Sequence, residues 1–267
     1  MTTRRELIIG ASALLVSRSA RSQVAPDTIG KIQNGSTLHR ISETSAFRYS
    51  FGEDELRQVA HQSETAVIVH HGKPVAIDGY VAVYQHFEGL PIFTSKAASV
   101  DELAVAQAKD LVSGKHKNWK EFGGADLEVK IAVRQDGVWG RALSFMLAQN
   151  GLEFPSGAIP ASSYEELADI GLKNPGTVLL GLRDTPARWD GLSELEVGKA
   201  RISASIDSYP ITSQITVFLK ERSGRALDLG RELSISLSLQ AASDRQTAAL
   251  APTIANLNAT LDAQERK

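Results

Sequence analysis

The chain has 267 residues, with 29 lysines and arginines against 31 aspartates and glutamates, 42% hydrophobic residues and no cysteine. That balance excludes disordered, collagen-like and disulfide-scaffold proteins, and the length provides for one large domain or two smaller ones that each bury a core. Without cysteine there is no thiolate zinc site, iron–sulfur cluster or thiol nucleophile, and a net charge of -2 supplies no general attraction for nucleic acid.

The N-terminus has the order of an export signal. Arg4 and Arg5 precede a ten-residue apolar run from Leu7 to Val16, and the small residues Ala20 and Ser22 sit where cleavage after Ser22 requires them. A membrane-spanning helix needs about 20 apolar residues, so this run is too short to cross a bilayer. The adjacent arginines followed by Leu7 resemble a twin-arginine signal, with general secretion as the alternative, and a periplasmic location is expected. Removal of residues 1–22 leaves 245 residues with 25 basic and 30 acidic side chains, a net charge of -5. Such a body disfavours nucleic acid or an anionic membrane as partner, so an anion site has to be built locally.

From residue 28 onward short apolar strands alternate with amphipathic helices, the pattern of an α/β protein. A short strand Lys31-Ile32-Gln33 leads into the turn Asn34-Gly35-Ser36-Thr37. The spacing predicts a helix over Glu53 to Gln62 and strands at 67–69, 75–77 and 80–84. A helix over Val100 to Ser113 is expected from a capping box of Ser99 and Glu102. Strand Val129 to Arg134 and helix Val138 to Asn150 follow. The helix Ser163 to Lys173 is announced by Ser162-Ser163 before Glu165-Glu166, and strands are expected at 177–182, 200–204 and 211–219 before a helix Gly224 to Ala241. Crossings between two units are expected near Asp78-Gly79 and Leu182-Arg183-Asp184.

The familiar catalytic and nucleotide motifs are absent: there is no GxGxxG, P-loop, GxSxG or HExxH. His70 and His71 are adjacent, and neighbours in a strand point to opposite faces, which makes them a poor metal pair. Glu53-Asp54 and Glu165-Glu166 lie in first helical turns, where acids favour the helix dipole, and are read as structural. No enzyme activity, cofactor or metal is expected. The informative stretch runs from Val129 to Asn150. There a strand ends at Arg134, Gln135-Asp136-Gly137 turns, and Val138-Trp139-Gly140-Arg141 opens a helix. Unpaired N–H groups at a helix start between two arginines form a ready anion site. The turn bearing Ser36 and Thr37 offers donors of the same kind.

The segments Leu111 to Gly124 and Val129 to Gly137, supported by Pro74 to Val83, Asn174 to Gly181 and Tyr209 to Thr212, resemble the phosphate-binding proteins of bacterial phosphate ABC transporters. The resemblance is good over residues 74–240 and poor over 38–73. It implies a two-lobed type II periplasmic binding protein-like fold with a shortened first lobe: residues 23–79 plus 183–267 in lobe 1 and 80–182 in lobe 2, with ligand held between them. It further implies a monomer that delivers a small anion, phosphate or another oxyanion, to an ABC transporter permease. The ligand residues it implies are Ser36, Thr37, Arg134, Gly137, Val138, Trp139 and Gly140. Where the family has Ser-Gly-Thr at the helix start, this chain has Val138-Trp139-Gly140, and no acidic ligand residue with its own glycine-serine turn is placed within 38–73. Two lost hydroxyl bonds to a charged ligand amount to roughly 3 to 6 kcal/mol. Trp139 is expected to fill the cleft, with stacking on a ligand as the second possibility. The alternative function is a module with a degenerate cleft, used for sensing or for binding a protein partner.

Overall fold

In the computed structural model, which describes residues 43–135, 137–181, 190–202, 208–243 and 251–266, two sheets divide the chain. The expected export signal, Ser36, Thr37 and Asp136 lie outside the described residues. The first sheet has the order β1 (Phe47–Phe51), β2 (Val67–His71), β11 (Thr212–Lys220), β3 (Tyr80–Gly89). The second has the order β7 (Ile159–Ala161), β6 (Lys130–Arg134), β8 (Thr177–Leu180), β4 (Ile92–Ser95), β9 (Leu192–Glu194). A short parallel ladder joins β5 (Glu102–Leu103) to β10 (Glu196–Val197).

The first sheet is covered on both faces because its strands alternate. Val67, Val69, Val217 and Leu219 face helices α5 (Gly224–Ser243) and α6 (Ala251–Glu265) through Leu229, Leu233, Leu257 and Leu261. Ile68 and Phe218, on the opposite face, meet Leu56 and Val59 of α1 (Glu53–Ala60). The second sheet carries α2 (Val105–Val112), α3 (Gly137–Gln149) and α4 (Tyr164–Lys173) around the larger core. Trp119, fully buried there, donates its indole N–H to Gly176 O at 2.7 Å. Among the described residues no helix is long and apolar enough to cross a membrane.

Several expected elements stand where the sequence put them. Ser163 accepts from Glu166 N at 3.1 Å and the Glu166 carboxylate accepts from Ser162 N at 2.7 Å, so both ends of the cap that opens α4 are made. Others move. α2 begins at Val105, with Gln107 accepting from Ala104 N; Ser99 instead closes a short 3-10 turn in the left-handed region at φ 56, because Glu102–Leu103 are taken by the ladder with β10. Residues 75–77 form no strand; of the expected strand at 200–204, Ser203 and Ala204 lie outside the described residues, and among 200–202 Ala200 makes a bridge, to Val197.

The lobe limits are redrawn by strand pairing. Tyr80–Gly89, expected to open lobe 2, pairs along its whole length with β11 in the first sheet, with one register shift between Val217 and Phe218. The forward crossing therefore falls between Gly89 and Ile92 rather than at Asp78-Gly79. The return was expected near residues 182–184; of these Leu182, Arg183 and Asp184 lie outside the described residues, but β9 still pairs with β4 and β10 with β5. The chain comes back to the first sheet at Tyr209–Ile211. The two crossings hold each other: Leu90 N donates to Ile211 O at 2.9 Å and the buried Tyr209 hydroxyl donates to Leu90 O at 2.8 Å. Burial raises the Tyr209 phenol well above its ordinary pKa, so the hydroxyl stays a donor at any working pH.

Candidate functional site

Two strand-to-helix corners face each other between the lobes. In the first, β1 ends at Phe51, Gly52 takes φ 85, and α1 starts with Glu53, Asp54 and Glu55. In the second, β6 ends at Arg134, Gly137 takes φ 50, and α3 starts. Crevices outside the carboxyl ends of strands are where open α/β sheets bind ligands, and helix starts there present unpaired N–H groups. Between the corners lies a cavity of about 660 Å³, lined on one side by Phe51 and Glu55 and on the other by Gln135, Gly137, Gly140, Arg141, Ser144, Phe145 and Phe154.

Helix α3 has two working faces. Trp139, Gly140, Ala142, Leu143, Met146 and Leu147 are buried in the second core. Val138, Arg141, Phe145 and Gln149, spaced three or four residues apart, form a stripe directed at the first lobe. Val138 packs against the first lobe's core. Arg141 forms ion pairs with Glu55 and, at 3.8 Å, Glu43, and its guanidinium lies 4.5 Å from the centre of the Phe51 ring. Phe145 meets Phe51 edge-on at 6.0 Å, and Gln149 accepts from Ser213 Oγ at 2.7 Å. Next along the chain, Asn150 Nδ2 donates to Thr212 O at 3.0 Å.

Of the residues expected at the ligand site, Gly137 and Gly140 line the cavity. Gly140 is required for the corner itself: a Cβ there would lie 2.4 Å from Gln135 O. Trp139 is not among the cavity-lining residues. It is 6% exposed, turned into the second core, and meets Tyr164 edge-on at 5.2 Å. This differs from the expected cleft-filling role, because position 139 falls on the inward face of α3, one residue away from the stripe at 138 and 141. Arg134 is half-buried behind the corner, with its guanidinium carbon 4.9 Å from the Trp139 ring centre and 4.6 Å from that of Tyr164. Val138 faces the other lobe, and Ser36 and Thr37 lie outside the described residues.

The sequence reading missed Phe51, Glu55 and the reach of Arg141. Residues 38–73 hold no glycine-serine turn, yet β1 and α1 bring an acidic helix start to the cleft. Glu55 accepts from Phe51 N at 2.9 Å, which fixes its carboxylate at the corner. The alternating aromatics of Phe47-Arg48-Tyr49-Ser50-Phe51 were the available strand signal. Behind this wall His70 and His71 are both buried; His70 Nδ1 lies 3.1 Å from Ser50 Oγ and Nε2 3.2 Å from Lys73 O, and His71 stacks on Phe51 at 4.7 Å. Burial lowers the His70 pKa, against smaller opposing effects of the Lys73 carbonyl, Glu53 and Glu55. Among the described residues no group of three or more His, Asp or Glu side chains is placed to hold a metal ion.

No protein-family model matches the chain. Over 175 residues it is 29% identical to the phosphate-binding protein PstS of Bacillus subtilis strain 168, covering 64% of this chain and 54% of that protein. The chain thus spans about half the length of the curated relative it matches. Among solved structures, a possible phosphate binding protein from Planctomyces limnophilus superposes with a TM-score of 0.58 at 13% identity, over 80% of this chain and 86% of that one. An ABC-type phosphate transport receptor from Vibrio cholerae gives a TM-score of 0.56 at 16% identity, over 69% of this chain and 80% of that one. The fold is two-lobed, α/β and type II periplasmic binding protein-like, with a shortened first lobe, and the sequence resembles the phosphate-binding proteins of bacterial ABC transporters at low identity.

Proposed function

We propose that this chain is an exported solute-binding protein of the phosphate-receptor kind, which holds a small anion between its lobes and delivers it to an ABC-type permease. The observation that carries this reading is the cavity where the β1–α1 and β6–α3 corners meet, bounded by both lobes and by the start of α3. In this reading the amides of Gly137 to Gly140, Arg134 behind them, and Ser36 and Thr37 supply the donors, and the paired crossings at Leu90 and Tyr209 are where the lobes hinge. Export through a twin-arginine signal and action as a monomer belong to the same proposal.

Calorimetric titration with inorganic phosphate, sulfate and molybdate tests it. Two charge-assisted bonds from a guanidinium are worth about 3 to 6 kcal/mol, so Arg134→Ala should weaken binding by about a hundredfold or more. Unchanged affinity in that variant would overturn the role of Arg134.

A second reading draws on the direct contacts between lobes. The stripe of α3 already ties the lobes together through Arg141, Phe145 and Gln149, which suits a binding-protein fold used to sense or to dock a protein partner. That reading expects no thermal stabilisation by millimolar phosphate or any other small anion.

A further inference from the structure

The cavity is poorly matched to an inorganic oxyanion. Its volume of about 660 Å³ falls in the range of sites for whole organic ligands, about 300 to 1,000 Å³. Phosphate has five heavy atoms and displaces roughly two or three waters of about 30 Å³ each, so it would occupy about a tenth of the space. Among the described residues the cavity's charged side chains are Arg141 and Glu55, one of each sign and paired with each other. The lining also contains phenyl rings. Phe51, Phe145 and Phe154 all line the cavity and all are half-buried. Gln135 and Ser144 add polar groups that can orient a ligand.

From this we infer that the cleft receives a small organic anion, an aromatic ring or short apolar chain bearing one carboxylate or phosphate group, in preference to inorganic phosphate. The inference rests on the solute-binding reading above and narrows its substrate class. Arg141 is the cation that recognises the acid group. Its side chain is 43% exposed and its present partners, Glu55 and Glu43, are carboxylates, so a ligand carboxylate or phosphate exchanges for like chemistry on the guanidinium. Glu55 keeps its bond from Phe51 N after such an exchange. The apolar body of the ligand lies against Phe145 and Phe154, where ring burial and edge-to-face contacts hold it.

The test is calorimetry on the full chain with three probes: inorganic phosphate, phenyl phosphate and benzoate. Phenyl phosphate is expected to bind at least tenfold more tightly than inorganic phosphate, and Arg141→Gln to weaken both phenyl phosphate and benzoate at least tenfold. Equal affinity for the two phosphates, or binding of inorganic phosphate with exclusion of phenyl phosphate, overturns the inference and leaves the solute-binding reading standing. Failure of all three probes to bind overturns the inference, and the titrations with sulfate and molybdate then decide the solute-binding reading separately. The comparison of probes uses the unaltered chain, so a folding defect in a variant does not decide it.

Discussion

Trp139 offers a direct measurement of which way the start of α3 is turned. The ring is 6% exposed, meets Tyr164 edge-on at 5.2 Å and lies 4.9 Å from the Arg134 guanidinium carbon. Truncating a buried tryptophan to alanine costs about 3 to 5 kcal/mol. Within that total the aromatic pair contributes about 0.5 to 1.5 kcal/mol and the cation–π contact about 0.5 to 1 kcal/mol. With a urea m-value of about 3 kcal/mol/M, Trp139→Ala should lower the midpoint of urea unfolding, followed by far-ultraviolet circular dichroism, by about 1 to 1.7 M. Arg134→Ala should cost about 1 kcal/mol by itself, and the double variant should show a coupling of about 0.5 to 1 kcal/mol. A loss below about 1 kcal/mol for Trp139→Ala is what a ring projecting into the cleft would give. That result would refute the placement of Trp139 in the second core.

Gly140→Ala should destabilise by about 1 to 3 kcal/mol, because the new Cβ would meet Gln135 O at 2.4 Å and Gln135 C at 2.7 Å, which are backbone atoms that cannot swing away. Gly224→Ala serves as its control, since a Cβ there meets nothing within 4 Å, and thermal melts should leave it unchanged or slightly more stable. His70 should make stability depend on pH. Its folded pKa lies below 6.5, chiefly through burial, so the unfolded chain takes up the proton first. Its contribution is complete above pH 6.5 and is lost as pH falls from there through the folded value. Melting temperatures between pH 5 and 8 should therefore slope less steeply for His70→Asn than for the unaltered chain, and identical slopes would show that His70 does not carry the effect.

Local signals in the sequence carried the α/β class, the strand-turn-helix from Lys130 to Gln149, and the cap of Ser163 with Glu166. Each depends on residues a few positions apart, where alternation, helical spacing and side-chain-to-backbone bonds act without reference to the rest of the chain. Arg134 was legible as a corner residue for the same reason. The partner of a strand is a different kind of information. The alternation of Tyr80–Gly89 marks a strand equally well in either lobe, and only its pairing with β11, more than a hundred residues onward, assigns it to the first sheet. Glu55 reads as an ordinary first-turn acid until the lobes are assembled and Arg141 is brought against it across 86 positions of sequence. Helix α3 is apolar on one side and mixed on the other, so its periodicity left open which face turns inward. Packing against two cores at once settled that choice, sending Trp139 inward and the stripe of Val138, Arg141 and Phe145 to the other lobe. Spacing along the chain fixes which residues share a face, whereas what that face meets depends on contacts between distant segments that form only in the assembled tertiary structure.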